Sequence, residues 1–544
     1  MPRHRSLALP LVLAAATALA ATAPAAAQEP ADRVDSAFVR LAGPATPGCA
    51  VGVARDGQAL LQRAYGMADL EGARANTAQT VFEAGSVTKQ VTAAAVVLLA
   101  LDGRFSLEDD ARTLLPELPR YERTITIRHL LNHTSGLRDW GAVAALGGWP
   151  RGSRAYTAQD MLGIVARQRT VNYPPGDHYS YTNSGYSLLA VLVERASGMP
   201  FAEFTRARLF APLGMTSTQW RDDYTRVVKG RAIAYQPAPD GFRLDMPFEN
   251  VVGNGGLLTT VGDLLRWTEN LESGVVGGPR FLTEMHRQAR LTGGRRIEYA
   301  SGLFVTSWRG IPEVSHSGST GGYRAFLARY PRQRLAVAVL CNAAQANATA
   351  LAHQVADAYL GDAPGTAVAT QVGNPGGAVA DTAGAVPPPG LYRDVRTGAP
   401  LRRAAGARGP AGRWAARSAS GGRTVWLRLA ADGDTARYEP MAAARPAARD
   451  LAAYAGRWRA ADVDAAWEVR AAGDSLLIRD PRGRDLPLVP TWRDAFTAEG
   501  TSWRFERDGA GRVVRLVAGQ DRVWAMPFTR AGPASAAPPA AHVR

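Results

Sequence analysis

Strand-like runs near residues 49–66 and again at 300–340, with helix-patterned sequence between them, predict an α/β domain whose sheet is assembled from distant segments. Short alternating runs beyond residue 388, separated by Asp/Gly-rich turns, predict an all-β region behind it. The length of 544 residues is too great for one ordinary domain and fits this division. Hydrophobic residues at 46% and charged residues at 20% are the balance of a globular chain with ample core.

The first 27 residues read as a secretory signal peptide. Arg3 and Arg5 precede an apolar run from Leu7 to Ala23, and Ala25-Ala26-Ala27 supplies small residues for cleavage. The expectation is an exported protein, periplasmic or extracellular, in which cysteines can pair. No cysteine follows the cleavage site to carry a lipid, and two cysteines in all exclude a disulfide framework or a Cys-based zinc finger.

Residues 31–42 read as a short helix. Cys49–Gly57 and Ala59–Gly66 form two strand runs around Asp56-Gly57, a hairpin signal. Residues 87–101 are apolar nearly all round, the mark of a helix buried on most sides. Mixed helical sequence follows to about residue 290, then strand runs at 300–308, 323–330 and 334–340 and a helix at 348–360. A Gly/Pro/Ala linker covers 362–387. Gly390-Leu-Tyr-Arg opens a first β module, 388–447, and Tyr454-Ala-Gly-Arg-Trp a second, 448–530, before a loose tail, 531–544.

From Pro388 onward there are 26 arginines against 16 acidic residues, ten units of the net charge of +15. They are scattered singly along strands, a solvated basic surface rather than a nucleic-acid site, with weak contact to acidic cell-envelope polymers as the alternative. Only Lys89 and Lys229 are lysine among 63 basic residues. In so arginine-rich a chain, Lys89 stands out as a lysine that something holds.

Gly85-Ser86-Val-Thr-Lys89 is the sharpest chemical signal. Ser86 reads as the start of a helix, where its plain role is a cap. Lys89, at i+3, faces the same side and opposes the helix dipole in the first turn. Dipole and apolar surroundings both favour its neutral amine, the form that activates a serine hydroxyl. Tyr181-Thr-Asn183 and His316-Ser-Gly318-Ser319 could complete a site, though each alone reads as structural. Rival motifs are weak: there is no Gly-x-Ser-x-Gly elbow and no phosphate-binding Gly-x-x-x-x-Gly-Lys. His129 and His133 have zinc-pair spacing on a helix face, but Leu130 stands where a metalloprotease needs Glu, so capping or core roles are expected.

Taken in order, Ser86-x-x-Lys89, Tyr181-x-Asn183 and His316-x-Gly318 resemble the three motifs of the penicillin-recognising serine hydrolases, a family of class C β-lactamases, DD-peptidases, D-aminopeptidases and esterases. Leu130-Leu-Asn-His-Thr-Ser-Gly-Leu137, Tyr173-Pro-Pro-Gly176 and Gly253-Asn-Gly-Gly-Leu-Leu-Thr-Thr260 also look like family blocks, and the resemblance covers about 33–361. It implies a catalytic unit at 28–361 with an antiparallel sheet flanked by helices, a helical lobe, and the site between them. It implies Ser86 as nucleophile, Lys89 tuning it, Tyr181 as base, and Asn183, His316 and Gly318 contacting substrate. The backbone N–H groups of Ser86 and Ser319 would form the oxyanion hole, with no metal or organic cofactor. In such a fold the strands carrying Cys49 and Cys341 are neighbours, which makes these two a disulfide candidate. His316 replaces the lysine of many β-lactamases, which turns the reading from penicillins toward D-aminopeptidase or esterase-like chemistry. DD-peptidase or β-lactamase activity, and a non-catalytic binding relative, remain the alternatives. The layout with β domains behind resembles D-aminopeptidases, and the expectation for the C-terminal part is a barrel covering one flank, with a loop narrowing the entrance as the second reading.

Overall fold

The computed structural model describes residues 29–361, 386–406, 413–418, 424–429 and 434–531. The segment expected to be signal peptide, nearly all of the expected linker and the residues beyond Ala531 lie outside the described residues.

Six antiparallel strands form the main sheet, in the order Phe304–Trp308, Ile311–Thr320, Tyr323–Tyr330, Leu335–Cys341, Cys49–Arg55, Gln58–Tyr65. The first long strand therefore pairs with the last, Cys49 facing Cys341 and Arg55 facing Leu335. Side chains alternate with the strand period of two. Val51, Val53, Val337 and Val339 face one core, shared with the helices Pro30–Phe38 and Ala348–Leu360. Ala50, Ala54, Ala336 and Ala338 face the other. Small residues on that inner face let the Val261–Ser273 helix approach closely: a Cβ on Gly52 would lie 3.0 Å from Leu265 Cδ1. Beyond it the Lys89–Leu101 helix packs on Asn183–Ser197, with its polar Gln90 taking a hydrogen bond from Trp267 Nε1 at 2.9 Å.

Cys49 and Cys341 are joined as a disulfide, their Cα atoms 3.9 Å apart and both side chains fully buried. The bond spans 292 residues of sequence, a long loop to constrain in the unfolded chain. The Cys49→Ala/Cys341→Ala double variant is expected to lose about 2–5 kcal/mol in urea unfolding, since loop entropy grows with length. A loss below about 1 kcal/mol would remove the bond from the account of stability.

Behind this unit, five strands between Gly390 and Met441 form an open sheet, and eight strands from Gly456 to Arg530 close into a barrel. Trp458, Trp503, Phe505, Leu516 and Phe528 fill the barrel, at alternate positions along their strands. The barrel is docked, not tethered alone: Trp467 Nε1 donates to Leu146 O at 2.8 Å and Gln168 Nε2 to Asp462 O at 2.7 Å. Its hydrophobic core is continuous with that of the α/β unit. Many barrel arginines are paired on the surface, among them Arg479 with Asp485 at 2.9 Å and Arg484 with Glu499 at 2.8 Å.

Candidate active site

The nucleophile candidate is delivered by a short strand and a tight turn. Phe82–Glu83 pairs with Leu257–Thr259, and Ala84 N donates to Leu257 O at 2.9 Å. Gly85 then turns the chain with φ 51°. Two glycines allow the turn to touch the sheet: a Cβ on Gly85 would lie 2.5 Å from Ser319 N, and one on Gly318 would lie 2.1 Å from Ala84 O. Ser86 thus sits inside a 3₁₀ turn, Gly85–Thr88, and not at a helix cap as its sequence suggests. The regular helix opens at Lys89, because pressing the turn against the sheet tightens the first residues.

Lys89 is completely buried. Its Nζ stands 3.0 Å from Ser86 Oγ, 3.0 Å from Asn183 Oδ1 and 2.7 Å from Asn254 O. Burial, aided by the guanidinium groups of Arg522 and Arg151, pushes its pKa far down against the weaker pull of Asp139. Burial therefore favours the neutral amine, which has two N–H bonds and one lone pair. Asn183 Oδ1 and Asn254 O can only accept, so they take the N–H bonds. In that form the lone pair is left to the Ser86 hydroxyl.

Tyr181 lies with its ring centroid 4.9 Å from Lys89 Nζ. Burial pushes its phenol up, opposed by the Ser86 hydroxyl and by Arg522. Its ring packs at 4.2 Å on His133, which is fully buried among Tyr179, Tyr186 and Tyr299. Asn183 opens the Asn183–Ser197 helix, and its N–H donates to Asp139 Oδ2 at 2.8 Å. Burial works to raise the Asp139 carboxyl, but Arg522 and the N–H groups of Asn183 and Ala142 outweigh it and hold the group ionised.

His316, Gly318 and Ser319 lie on the Ile311–Thr320 strand at the edge of the same cavity. His316 Nδ1 lies 2.6 Å from the Ser317 carbonyl, which can only accept, so Nδ1 carries the proton. Nε2 then accepts from the Tyr299 hydroxyl at 3.1 Å. Burial pushes the His316 pKa down to about 3, so it brings no cation to the cavity. The cavity measures about 800 Å³ and is lined by Ser86, Tyr181, Asn183, His316 and Ser319 together with Arg522 of the barrel.

The three motifs are therefore brought to one cavity. The zinc-spaced histidines are not on one helix face: the helix ends at Leu131, His133 has φ 58°, and His129 Nδ1 accepts from Thr126 N at 3.2 Å in a capping box. Asp139, Asn254 and Arg522 were not legible as site residues. Asn254 acts through its backbone carbonyl, and its glycine-rich loop signals only close packing: a Cβ on Gly253 would lie 2.6 Å from Tyr186 O. Asp139 caps the Trp140–Leu146 helix, accepting from Gly141 N at 3.0 Å, so its sequence context is that of any helix start. Arg522 lies in one more Asp-containing hairpin turn among several. The barrel does more than cover a flank, since this turn reaches the cavity.

Comparison with known proteins follows the same division. The Beta-lactamase family model matches residues 34–362. Penicillin-binding protein 4* of Bacillus subtilis (strain 168) is 29% identical over 308 residues, 53% of this chain and 66% of that protein. A D-aminopeptidase of Gluconobacter oxydans (strain 621H) is 28% identical over 316 residues, 58% of this chain and 59% of that protein. The chain thus spans about 60% of the length of these curated relatives. Among solved structures, the octameric penicillin-binding protein homologue from Pyrococcus abyssi superposes over 92% of this chain and 98% of its own, with TM-score 0.54 and 20% identity. A D-amino acid amidase from Ochrobactrum anthropi SV3, complexed with L-phenylalanine amide, covers 61% of this chain and 98% of its own, with TM-score 0.52 and 22% identity. These structural likenesses speak to the fold.

Proposed function

The chain belongs to the Beta-lactamase family, a family of serine hydrolases, and on that premise we propose that it is an exported hydrolase cleaving small amides or esters through an acyl-Ser86 intermediate. The observation that carries the reading is the environment of Lys89: a fully buried amine, disfavoured as the ammonium, with its Nζ 3.0 Å from Ser86 Oγ. As Ser86 Oγ bonds to the substrate carbonyl carbon, its proton passes to Lys89 Nζ. The carbonyl oxygen takes the electron pair, with the Ser86 and Ser319 N–H groups as its donors. The C–N or C–O bond then breaks, and the leaving group takes a proton. Tyr181 beside Lys89 is placed to hand over its own proton and to regain one from the Lys89 ammonium, which restores both groups; its raised pKa suits a proton-carrying phenol better than a standing phenolate. Water repeats the addition on the acyl-enzyme, releasing acid and restoring Ser86.

A neutral His316 removes the cation that would seat a terminal carboxylate, which favours amides and esters without one over penicillins and D-Ala-terminated peptides. The D-aminopeptidase relative supports D-amino acid amides as the first class to assay. The test is intact-mass analysis of the mature protein with a fluorophosphonate, with benzylpenicillin, and of Ser86→Ala with both. Fluorophosphonate mass is expected on the native protein and not on Ser86→Ala. A persistent benzylpenicillin adduct would move the reading to a penicillin-binding peptidase, and no adduct with either reagent would overturn it in favour of a binding protein.

A further inference from the structure

Arg522 belongs to the barrel, in the turn between the strands Val513–Gln520 and Val523–Arg530, yet it lines the catalytic cavity. The turn is held from the α/β side. Arg522 O accepts from Asp139 N at 3.3 Å and from Asn172 Nδ2 at 3.2 Å, while Trp524 N donates to Asn172 Oδ1 at 3.0 Å. So fixed, the guanidinium lies 5.2 Å from the centroid of the Tyr181 ring, and its Nη1 is 3.5 Å from Asp139 Oδ2. The same oxygen accepts the N–H of Asn183, whose Oδ1 accepts from Lys89, which in turn meets Ser86. One polar path therefore runs from the barrel to the nucleophile.

Resting on the hydrolase reading above, we propose that Arg522 is a positioning residue supplied to the catalytic site by the barrel, which holds Asp139 and Tyr181 in place and keeps Lys89 in the form that accepts a proton. The charged groups facing Lys89 and Tyr181 are few. Arg522 and Arg151 are cations, Asp139 is an anion, and the imidazoles of His133 and His316 are neutral, as are the phenols of Tyr186 and Tyr299. Arg151 also acts on Lys89, but it is paired with Glu249, its Nε 2.9 Å from Oε2. Arg522 has only the longer contact to Asp139, a carboxylate already shared with three backbone N–H groups. Its field therefore reaches the amine and the phenol. A nearby cation disfavours the ammonium, which lowers the pH at which the base is ready.

The experiment is the pH profile of kcat/KM in the full chain for native, Arg522→Gln and Arg522→Lys proteins. Each is assayed with p-nitrophenyl acetate and with the anionic mono-p-nitrophenyl succinate. In Arg522→Gln the acid limb is expected to move up by about one pH unit with both esters, a loss of about tenfold below the limb. Arg522→Lys should restore most of the shift, a rescue that a purely structural loss would not show. An unmoved limb in a Ser86-labelled protein overturns this proposal alone, as does a loss confined to the anionic ester, which would make the guanidinium a substrate anchor. Native protein that takes no fluorophosphonate on Ser86 overturns the hydrolase reading, and this proposal with it.

Discussion

Replacing Lys89 by methionine is expected to lower kcat/KM by roughly 10³- to 10⁴-fold for any ester or amide the native protein turns over. Methionine is unbranched, of comparable length and apolar, so it can occupy the buried channel between Ser86, Asn183 and Asn254 without opening a void. What it lacks is the lone pair. The Ser86 hydroxyl then keeps its proton, and the rate of fluorophosphonate labelling should fall with turnover. Asn183 Oδ1 and Asn254 O would also lose their donor, a cost of about 1–3 kcal/mol in stability for each buried acceptor left unpaired. Because serine and lysine act as one unit, Ser86→Ala/Lys89→Met should be no slower than the worse single variant. Labelling of Lys89→Met at the native rate would show that another group takes the proton, and Tyr181 would be the first to examine.

Glu83→Ala is expected to cost about 3–5 kcal/mol in urea unfolding. Glu83 takes a bidentate bond from Arg221, with Nε at 2.8 Å and Nη2 at 3.0 Å, and Arg231 approaches at 3.5 Å. The Arg221 and Glu83 side chains are 1% and 0% exposed, so truncation strands a guanidinium in the core. Much of the loss should return in Glu83→Ala/Arg221→Met, where the charge leaves with its partner. Glu83 also lies two residues before Gly85, so Glu83→Ala should slow labelling of Ser86 by loosening the turn that presents it. A single-variant loss under about 1 kcal/mol would mean that water reaches Arg221 in the folded protein.

Local chemistry made half of this molecule readable. Ser86 and Lys89 announce themselves because one turn of helix puts both on one side, and the lysine is conspicuous among arginines. The strands Cys49–Arg55 and Leu335–Cys341 are dense in β-branched and small apolar residues, which few other structures would bury. The Ile311–Thr320 strand is harder to read, since its second half is His-Ser-Gly-Ser-Thr and is held by pairing to its neighbours more than by propensity. Asp139 and Arg522 were beyond reach for a different reason. They are 383 residues apart, and nothing near either one records that tertiary packing sets them 3.5 Å from each other. Likewise His133 follows a helix of only five residues, too short for its pattern to mark where the chain turns.

The pairing of Cys49–Arg55 with Leu335–Cys341 also sets an order of events during biosynthesis. The first of these strands has its neighbour across a gap of 292 residues, counted from cysteine to cysteine. At about 5–20 residues per second a ribosome needs roughly 15–60 seconds to supply that partner. Until then the strand has only its hairpin mate Gln58–Tyr65, and the sheet lacks its centre. Such non-local pairing slows folding and leaves the growing chain open for most of its synthesis. The sheet therefore cannot close before nearly all of the α/β unit has been made.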